Sequence, residues 1–437
     1  MIREMTFISL LIVLLVALQC VVSIPTVSQK SSRSLNLPGR VPLFPKSQVN
    51  YGPSDYLRAM IKHNIHPTHP DDLPIDELRS EDAPLRKRSV TIGYVPATPY
   101  KYDPSGYYSP ITIGQGDNAK TFNLEFDTGS SDLWVFSDLM DVQEIPAGRT
   151  IYDPNNSSSA IATNATWNCT YRDGSNSFGV VYLDTISIGG IIIKNQAVEA
   201  ATNVSSEFLE SNWTADGLVG LSTKPNTIQP SNYTTTLQNL FQSNNSQVTE
   251  NVFTVSLRRP NETQGFFTFG YIDYDLVGNA TVQYTPVNYT HGWQVSSEYI
   301  IINGTVTARP AGNFALMDTG TTLILVSDLI LPLIYAPMGG YFNTTLQAWL
   351  FPGNISLSDV PSIVLPVGEA NITLALQDMG AGKVGDWIYG SIQSRGNSTH
   401  DIYGDYFLRN VYAIFDIPGN GTGPLFGVVP RAPQLAT

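Results

Sequence analysis

The chain carries one short pattern twice. Phe126-Asp127-Thr128-Gly129-Ser130-Ser131-Asp132-Leu133-Trp134 follows an apolar run, and Ala315-Leu316-Met317-Asp318-Thr319-Gly320-Thr321-Thr322-Leu323 repeats it later. Each copy reads as a hydrophobic strand, then Asp-Thr-Gly, then a small hydroxyl residue, then apolar residues again. A single Asp-Thr-Gly arises by chance and signifies no more than an acidic turn at a strand end. Two copies in matching frames point to a chain built as two related halves, each contributing one aspartate. Two carboxylates brought to ~3 Å cannot both ionise, so they share a proton and titrate as a unit. The ionised member can take a proton from water while the protonated member polarises a carbonyl. General base and general acid then stand together in acid. Glycine after threonine suits a tight loop in which a side chain would crowd the facing loop.

The doubled motif resembles the pepsin family of aspartic proteases, in which two such loops meet in one active site. The likeness runs on past the triads. Asp216-Gly217-Leu218-Val219-Gly220-Leu221 and Ile402-Tyr403-Gly404-Asp405-Tyr406-Phe407-Leu408 each carry two apolar residues and then glycine, like the family's segment threaded beneath each catalytic strand. Tyr107 to Gly114 resembles its opening strand, and Val411 to Asp416 with Phe426 to Pro430 its closing strands. The resemblance implies an all-β, bilobal fold of two β-barrel-like lobes with a cleft between them, a first lobe at 89–275 and a second at 276–437.

It also implies roles. Asp127 and Asp318 become the catalytic pair, with Ser130 and Thr321 orienting the carboxylates. Gly129, Gly320, Thr322 and Leu218 fall on the substrate-binding surface. Trp167 to Ser175 reads as a strand running into an Asp-Gly hairpin turn, similar to the family's flap, a lid that excludes water and positions the peptide. Tyr171 stands at the flap tyrosine and Trp134 at its usual hydrogen-bond partner. Asp173 stands where several fungal relatives carry an aspartate and accept lysine beside the cut, because a carboxylate over an apolar pocket can pair with an ammonium group. Asp-Gly hairpin geometry explains the same residue equally well, and Arg172 replaces the family's common glycine. Substrates are then extended polypeptides with bulky apolar residues at the cut, and neither metal nor cofactor is implied. The competing reading is a pepsin-fold protein that binds without cutting. Such relatives usually lose an aspartate, a triad glycine or the flap tyrosine, and all are intact here.

The first 23 residues have Arg3, a nearly unbroken apolar run from Phe7 to Val22 and small Ser23, the pattern of a secretory signal peptide. No later run is long and apolar enough to span a bilayer, and the C-terminal residues carry no hydrophobic tail of the kind a glycolipid anchor needs. Residues 24–88 hold ten of the 24 Lys and Arg, and end in Leu85-Arg86-Lys87-Arg88-Ser89. This reads as a pro-segment closed by a dibasic processing site. Leu57 to Asn64 reads as a short helix resembling pepsin-family pro-segments, with Lys62 the leading candidate to occupy the active site as an intramolecular inhibitor. His63, His66 and His69 lie near Asp71 and Asp72, but Pro67 and Pro70 break any helical face and no cysteine joins them. Groups that titrate in acid fit better than a metal site.

Charge and cysteine narrow the rest. The whole chain is −13, and from Ser89 onward 13 Lys and Arg face 29 Asp and Glu, a net of −16. That surface repels nucleic acid and anionic membranes, and it loses charge in acid without becoming strongly positive. Cys20 belongs to the leader, so Cys169 is the single cysteine after it. Only His291 and His400 remain as histidines there, and a buried strand position between Trp167 and Tyr171 suits Cys169 better than a nucleophilic role. Sequons at Asn164, Asn203, Asn232, Asn261, Asn303, Asn343, Asn371 and Asn420 imply a eukaryotic secretory route, with several expected to be silent because they sit in apolar strand patterns. The expected product is a secreted, glycosylated monomer, with the vacuole as the alternative destination. Strands are expected at Tyr108 to Ile113, Phe122 to Phe126, Val180 to Ile188 and Phe266 to Phe269, and helices at Thr235 to Phe241 and Val326 to Tyr335.

Overall fold

The computed structural model describes residues 93–431 apart from 101–105, 171–175, 211–212, 242–247, 249, 260–261, 263–264 and 419–422. The leader, the pro-segment with its helix and histidines, and the flap residues Tyr171, Arg172 and Asp173 therefore lie outside the described residues.

Alternation produces the strands. Along Tyr107–Ile113 every second residue is buried, namely Tyr107, Ser109, Ile111 and Ile113, which is the period of a pleated strand with one face on a core. The strands expected from sequence lie within Tyr107–Ile113, Lys120–Asp127, Asn176–Ile188 and Gly265–Phe269. Lys120–Asp127 keeps that alternation up to Asp127, whereas Phe314–Met317, just before Asp318, is an apolar run buried from Ala315 onward.

Five strands of the first half lie side by side as Tyr107–Ile113, Lys120–Asp127, Gly217–Gly220, Leu133–Val135 and Ile191–Val204. Their successive pairings are antiparallel, parallel, antiparallel and parallel. The second half repeats the order and the polarity with Gln294–Ser296, Phe314–Met317, Asp401–Tyr403, Ile324–Val326 and Ile392–Ser394. The two apolar-apolar-glycine segments are thus the parallel neighbours of the two aspartate strands. Their glycines are steric requirements. A Cβ at Gly220 would fall 2.3 Å from the Ser131 Cα, and one at Gly404 2.1 Å from the Thr321 carbonyl oxygen.

A third set of strands joins the halves. Gly93–Pro99, Gly265–Phe269, Val252–Ser256, Val411–Asp416, Leu425–Pro430 and Gln283–Pro286 form a continuous antiparallel run. At its centre Phe253 stacks on Phe415 with ring centroids 4.5 Å apart and planes within 5°. The architecture is all-β and bilobal, in the pepsin-like pattern, and the closing strands return to pair with the first lobe.

The helices are short. Thr236–Leu240 starts at Thr235, which forms a reciprocal capping box with Gln238. The helix expected from Val326 begins only at Leu331 and ends at Tyr335. Val326 belongs to the Ile324–Val326 strand, paired in parallel with Ile392–Ser394. Ladder pairing in the core overrides the helical spacing, and Pro332, pre-set for a first helical turn, marks the true start. Several sequon asparagines fall in strands, as expected. Asn164, Asn203 and Asn371 sit in strands yet are exposed, because alternation turns them away from the apolar face.

Candidate active site

Asp127 ends its strand and is fully buried, as is Asp318 directly after Phe314–Met317. Each carboxylate is held by its own loop. The Gly129 N–H donates to Asp127 Oδ1 at 2.7 Å and the Ser130 hydroxyl donates to Oδ2 at 2.5 Å. In the second copy the Gly320 N–H donates to Asp318 Oδ1 at 3.0 Å and the Thr321 hydroxyl to Oδ2 at 2.8 Å. The two loops meet at Gly129, where a Cβ would stand 2.7 Å from both carboxylate oxygens of Asp318. Any side chain there would displace the second aspartate, which accounts for the glycine.

The threonines lock the loops together. Thr128 Oγ1 donates to the Met317 carbonyl at 2.8 Å, and Thr319 Oγ1 donates to the Phe126 carbonyl at 2.5 Å. In return each hydroxyl accepts the other threonine's backbone N–H at 3.0 Å. These buried bonds cross between the lobes and obey one twofold pattern. Trp293 adds a further link, donating its indole N–H to the Leu221 carbonyl at 2.8 Å.

The remaining expected site residues divide. Thr322 is buried, and its carbonyl accepts the Tyr406 N–H at 3.0 Å. Leu218 is buried in a cluster with Trp134, Trp213 and Trp167 behind the loop. Trp134 is fully buried and stacks on Trp167 and Trp213 at 6.3 and 5.6 Å. Cys169 is buried in the Ile161–Thr170 strand, as its alternation with Trp167 implied.

Sequence reasoning missed what stands behind Asp127. Asp132 is buried and accepts the Thr227 N–H at 2.7 Å and the Thr227 hydroxyl at 2.9 Å. Its carboxylate also receives hydrogen bonds from the Glu199 side chain and the Cys169 thiol. Glu199 is buried too, and its Oε2 accepts no hydrogen bond. Burial, with the negative charge of Asp132 beside it, drives the Glu199 carboxyl well above the usual carboxylate range. The acidic signal was present in the sequence at Asp132, but its partner comes from a distant strand.

Two buried carboxyl groups, fixed at the meeting of two symmetric loops in a pepsin-like fold, define the aspartic protease class of site. The eukaryotic aspartyl protease family profile matches residues 106–423. Aspergillopepsin-1 of Aspergillus fumigatus is 32% identical over 425 residues, spanning 95% of this chain and 97% of its own. Endothiapepsin of Cryphonectria parasitica is 34% identical over 404 residues, covering 89% and 90%. The crystal structure of an aspartic proteinase from Irpex lacteus superposes with a TM-score of 0.60 at 22% identity, over 79% of this chain and 99% of that one, a likeness of fold. The chain belongs to the eukaryotic aspartyl protease family and is an aspartic-type endopeptidase of the fungal pepsin-like kind. Among the described residues no helix is long and apolar enough to cross a membrane.

Proposed function

We propose that Asp127 and Asp318 are the catalytic pair, and that the chain is made as a secreted zymogen whose processed form cuts polypeptides in acid. The observation that carries this reading is the pair itself: two fully buried carboxylates, one per lobe, each held by an N–H and a hydroxyl of its own loop. With one proton shared between them, the ionised member takes a proton from an attacking water. The protonated member donates to the scissile carbonyl oxygen, and collapse of the tetrahedral species returns a proton to the leaving nitrogen. The hydroxyls of Ser130 and Thr321 keep both carboxylates in the plane this exchange needs. Gly129, Gly320, Thr322 and Leu218 form or support the substrate-facing surface, Tyr171 closes over the bound peptide, and Asp173 favours lysine beside the cut. Residues 89–275 and 276–437 are the two catalytic lobes.

Residues 1–23 direct export and residues 24–88 form the inhibitory pro-segment. Its cations meet the acidic body at neutral pH, and protonation of carboxylates in acid releases it. Export and sequon glycosylation place the monomer outside the cell.

The test is cleavage of denatured globin by purified processed protein across pH, with and without a statine-type transition-state analogue. Asp127→Asn and Asp318→Asn are each expected to lower activity by roughly 10²–10⁴-fold or more while leaving the fold intact, since each removes half of the acid–base pair. Substantial activity in either processed single variant overturns the assignment. A peptide spanning Asp55 to Asp72 is expected to inhibit the processed enzyme near neutrality and less in acid. The reverse order rules out the electrostatic plug.

A further inference from the structure

Beside Gly129 and Ser130 the cleft opens into a pocket of about 420 Å³ whose wall includes Lys224, His291 and His400. From Ser89 onward the chain has a net charge of −16 and only two histidines, and both stand on this one pocket. The three basic residues arrive from separate segments. Lys224 follows the Gly217–Gly220 strand, His291 closes the turn at Tyr289–His291, and His400 directly precedes the Asp401–Tyr403 strand.

Lys224 is placed by backbone. Its Nζ donates to the Gly129 carbonyl at 3.3 Å, and its stem passes Gly292, where a Cβ would stand 3.1 Å from Lys224 Cε. Gly292 has φ +89°, a conformation suited to glycine. His400 is held in a turn, its carbonyl accepting the Ser398 hydroxyl at 3.0 Å. Thr170, Thr290 and Gln294 supply neutral polar groups on the same wall. The one carboxylate on the lining is Asp132, which is turned into the protein and engaged by Thr227, Glu199 and the Cys169 thiol. Neither Asp127 nor Asp318 lines the pocket, though Gly129 and Ser130 of the first loop do.

We propose that this pocket is a substrate subsite for an acidic side chain, so that the enzyme prefers glutamate or aspartate at one position close to the cut. The proposal rests on the endopeptidase reading and names part of its substrate class. Lysine is cationic throughout the acid range, and a peptide glutamate is ionised above about pH 4.3. The attraction is therefore present above about pH 4.3 and fades in stronger acid as the substrate's own carboxyl protonates.

The experiment uses processed full-chain enzyme and a set of octapeptides with one fixed apolar cut site. Glu, Gln or Lys is placed in turn at each of three positions on either side of the cut. At pH 5 one position is expected to favour Glu over Gln by about fivefold in kcat/KM, the scale of a partly exposed ion pair. At pH 3 that ratio should approach one, and Lys at that position should be the poorest of the three. In Lys224→Gln combined with His291→Gln and His400→Gln, the Glu-to-Gln ratio at pH 5 should fall to about one. Equal cleavage of Glu and Gln peptides at all positions at pH 5 overturns the proposal, as does a preference that survives in the triple variant. The same peptides with a reduced, uncleavable bond are measured by calorimetry. Loss of cleavage of the all-neutral peptide sinks the protease reading, whereas the Glu-to-Gln binding ratio judges the pocket by itself.

Discussion

The two lobes share one backbone plan and differ in the electrostatics behind it. Five residues after the aspartate of each Asp-Thr-Gly loop the first lobe has Asp132 and the second has Leu323. Asp132 faces Glu199 with no arginine among its described partners, so a proton, a thiol and a threonine satisfy it. The second lobe buries its acid elsewhere. Asp401, fully buried, accepts from Arg395 Nη1 at 2.7 Å and from Asn313 Nδ2 at 3.1 Å, and it also contacts Arg309 Nη1. Arg395 in turn donates to Asn313 Oδ1 at 2.6 Å. One lobe neutralises a buried acid by keeping a proton and the other by surrounding it with guanidinium groups. The same fold tolerates both because in each case the charge left behind is hydrogen-bonded. The two solutions should respond differently to mutation and to pH.

The largest expected effect is in the second lobe. Arg309→Met removes one of the two cations on Asp401 and leaves a buried carboxylate under-compensated, at a cost of about 3–5 kcal/mol. Adding Asp401→Leu and Arg395→Met to Arg309→Met should recover much of that loss, because the whole charged cluster is then replaced by apolar groups and no buried charge loses its partner. Urea unfolding of the processed enzyme measures both. Recovery that fails to appear would show that the cluster holds Asn313 and Ser297 in place by more than charge.

Where the lobes agree, mutations should agree. Thr128→Val and Thr319→Val each remove one buried donor and strand one carbonyl and one N–H across the interface. Each should cost about 1–3 kcal/mol, with nearly equal unfolding midpoints and a parallel fall in kcat/KM. A large inequality between the two variants would break the twofold equivalence at the point where it looks most complete.

How much of this was legible in sequence follows from range. The doubled Asp-Thr-Gly frames, the two apolar-apolar-glycine segments and the alternating strands are local patterns, and they located both aspartates, both parallel neighbours and the closing strands. Val326 was misread because an apolar run of three residues suits a helix or a buried strand equally, and only its pairing with Ser394 decides. The Asp132–Glu199 pair, the Asp401 cluster and the basic pocket depend on side chains brought together from distant segments. His291 and His400 were visible as the only late histidines, yet nothing local indicated that they share a wall with Lys224. Tyr171 and Asp173 lie outside the described residues, so the flap rests on sequence alone.

The smallest expected effect, and the sharpest test of the comparison, is a change in pH response. Burial raises the carboxyls of Glu199, Asp132 and Asp216, the first also through the charge of Asp132. Glu262 runs the other way, because Arg431 and Arg259 outweigh its desolvation and hold it low. A carboxyl with a raised folded-state pKa binds its proton more tightly in the native chain than in the unfolded one. Its contribution to stability is complete below the unfolded value, about 4.3 for glutamate, and is lost as pH rises through the folded value. The first lobe should therefore be secure in acid and weaken toward neutrality, while the arginine-compensated Asp401 keeps its partners there. Glu199→Gln replaces the proton-bearing oxygen with an amide that can still donate to Asp132 and never ionises. In acid its stability should match the parent within about 1 kcal/mol, the net worth of one hydrogen bond. As pH rises the variant should hold its fold to a higher pH than the parent, read by intrinsic fluorescence of the Trp134, Trp167 and Trp213 cluster. Coincident pH profiles for parent and variant would mean that the Glu199 proton does not set the neutral limit of the first lobe.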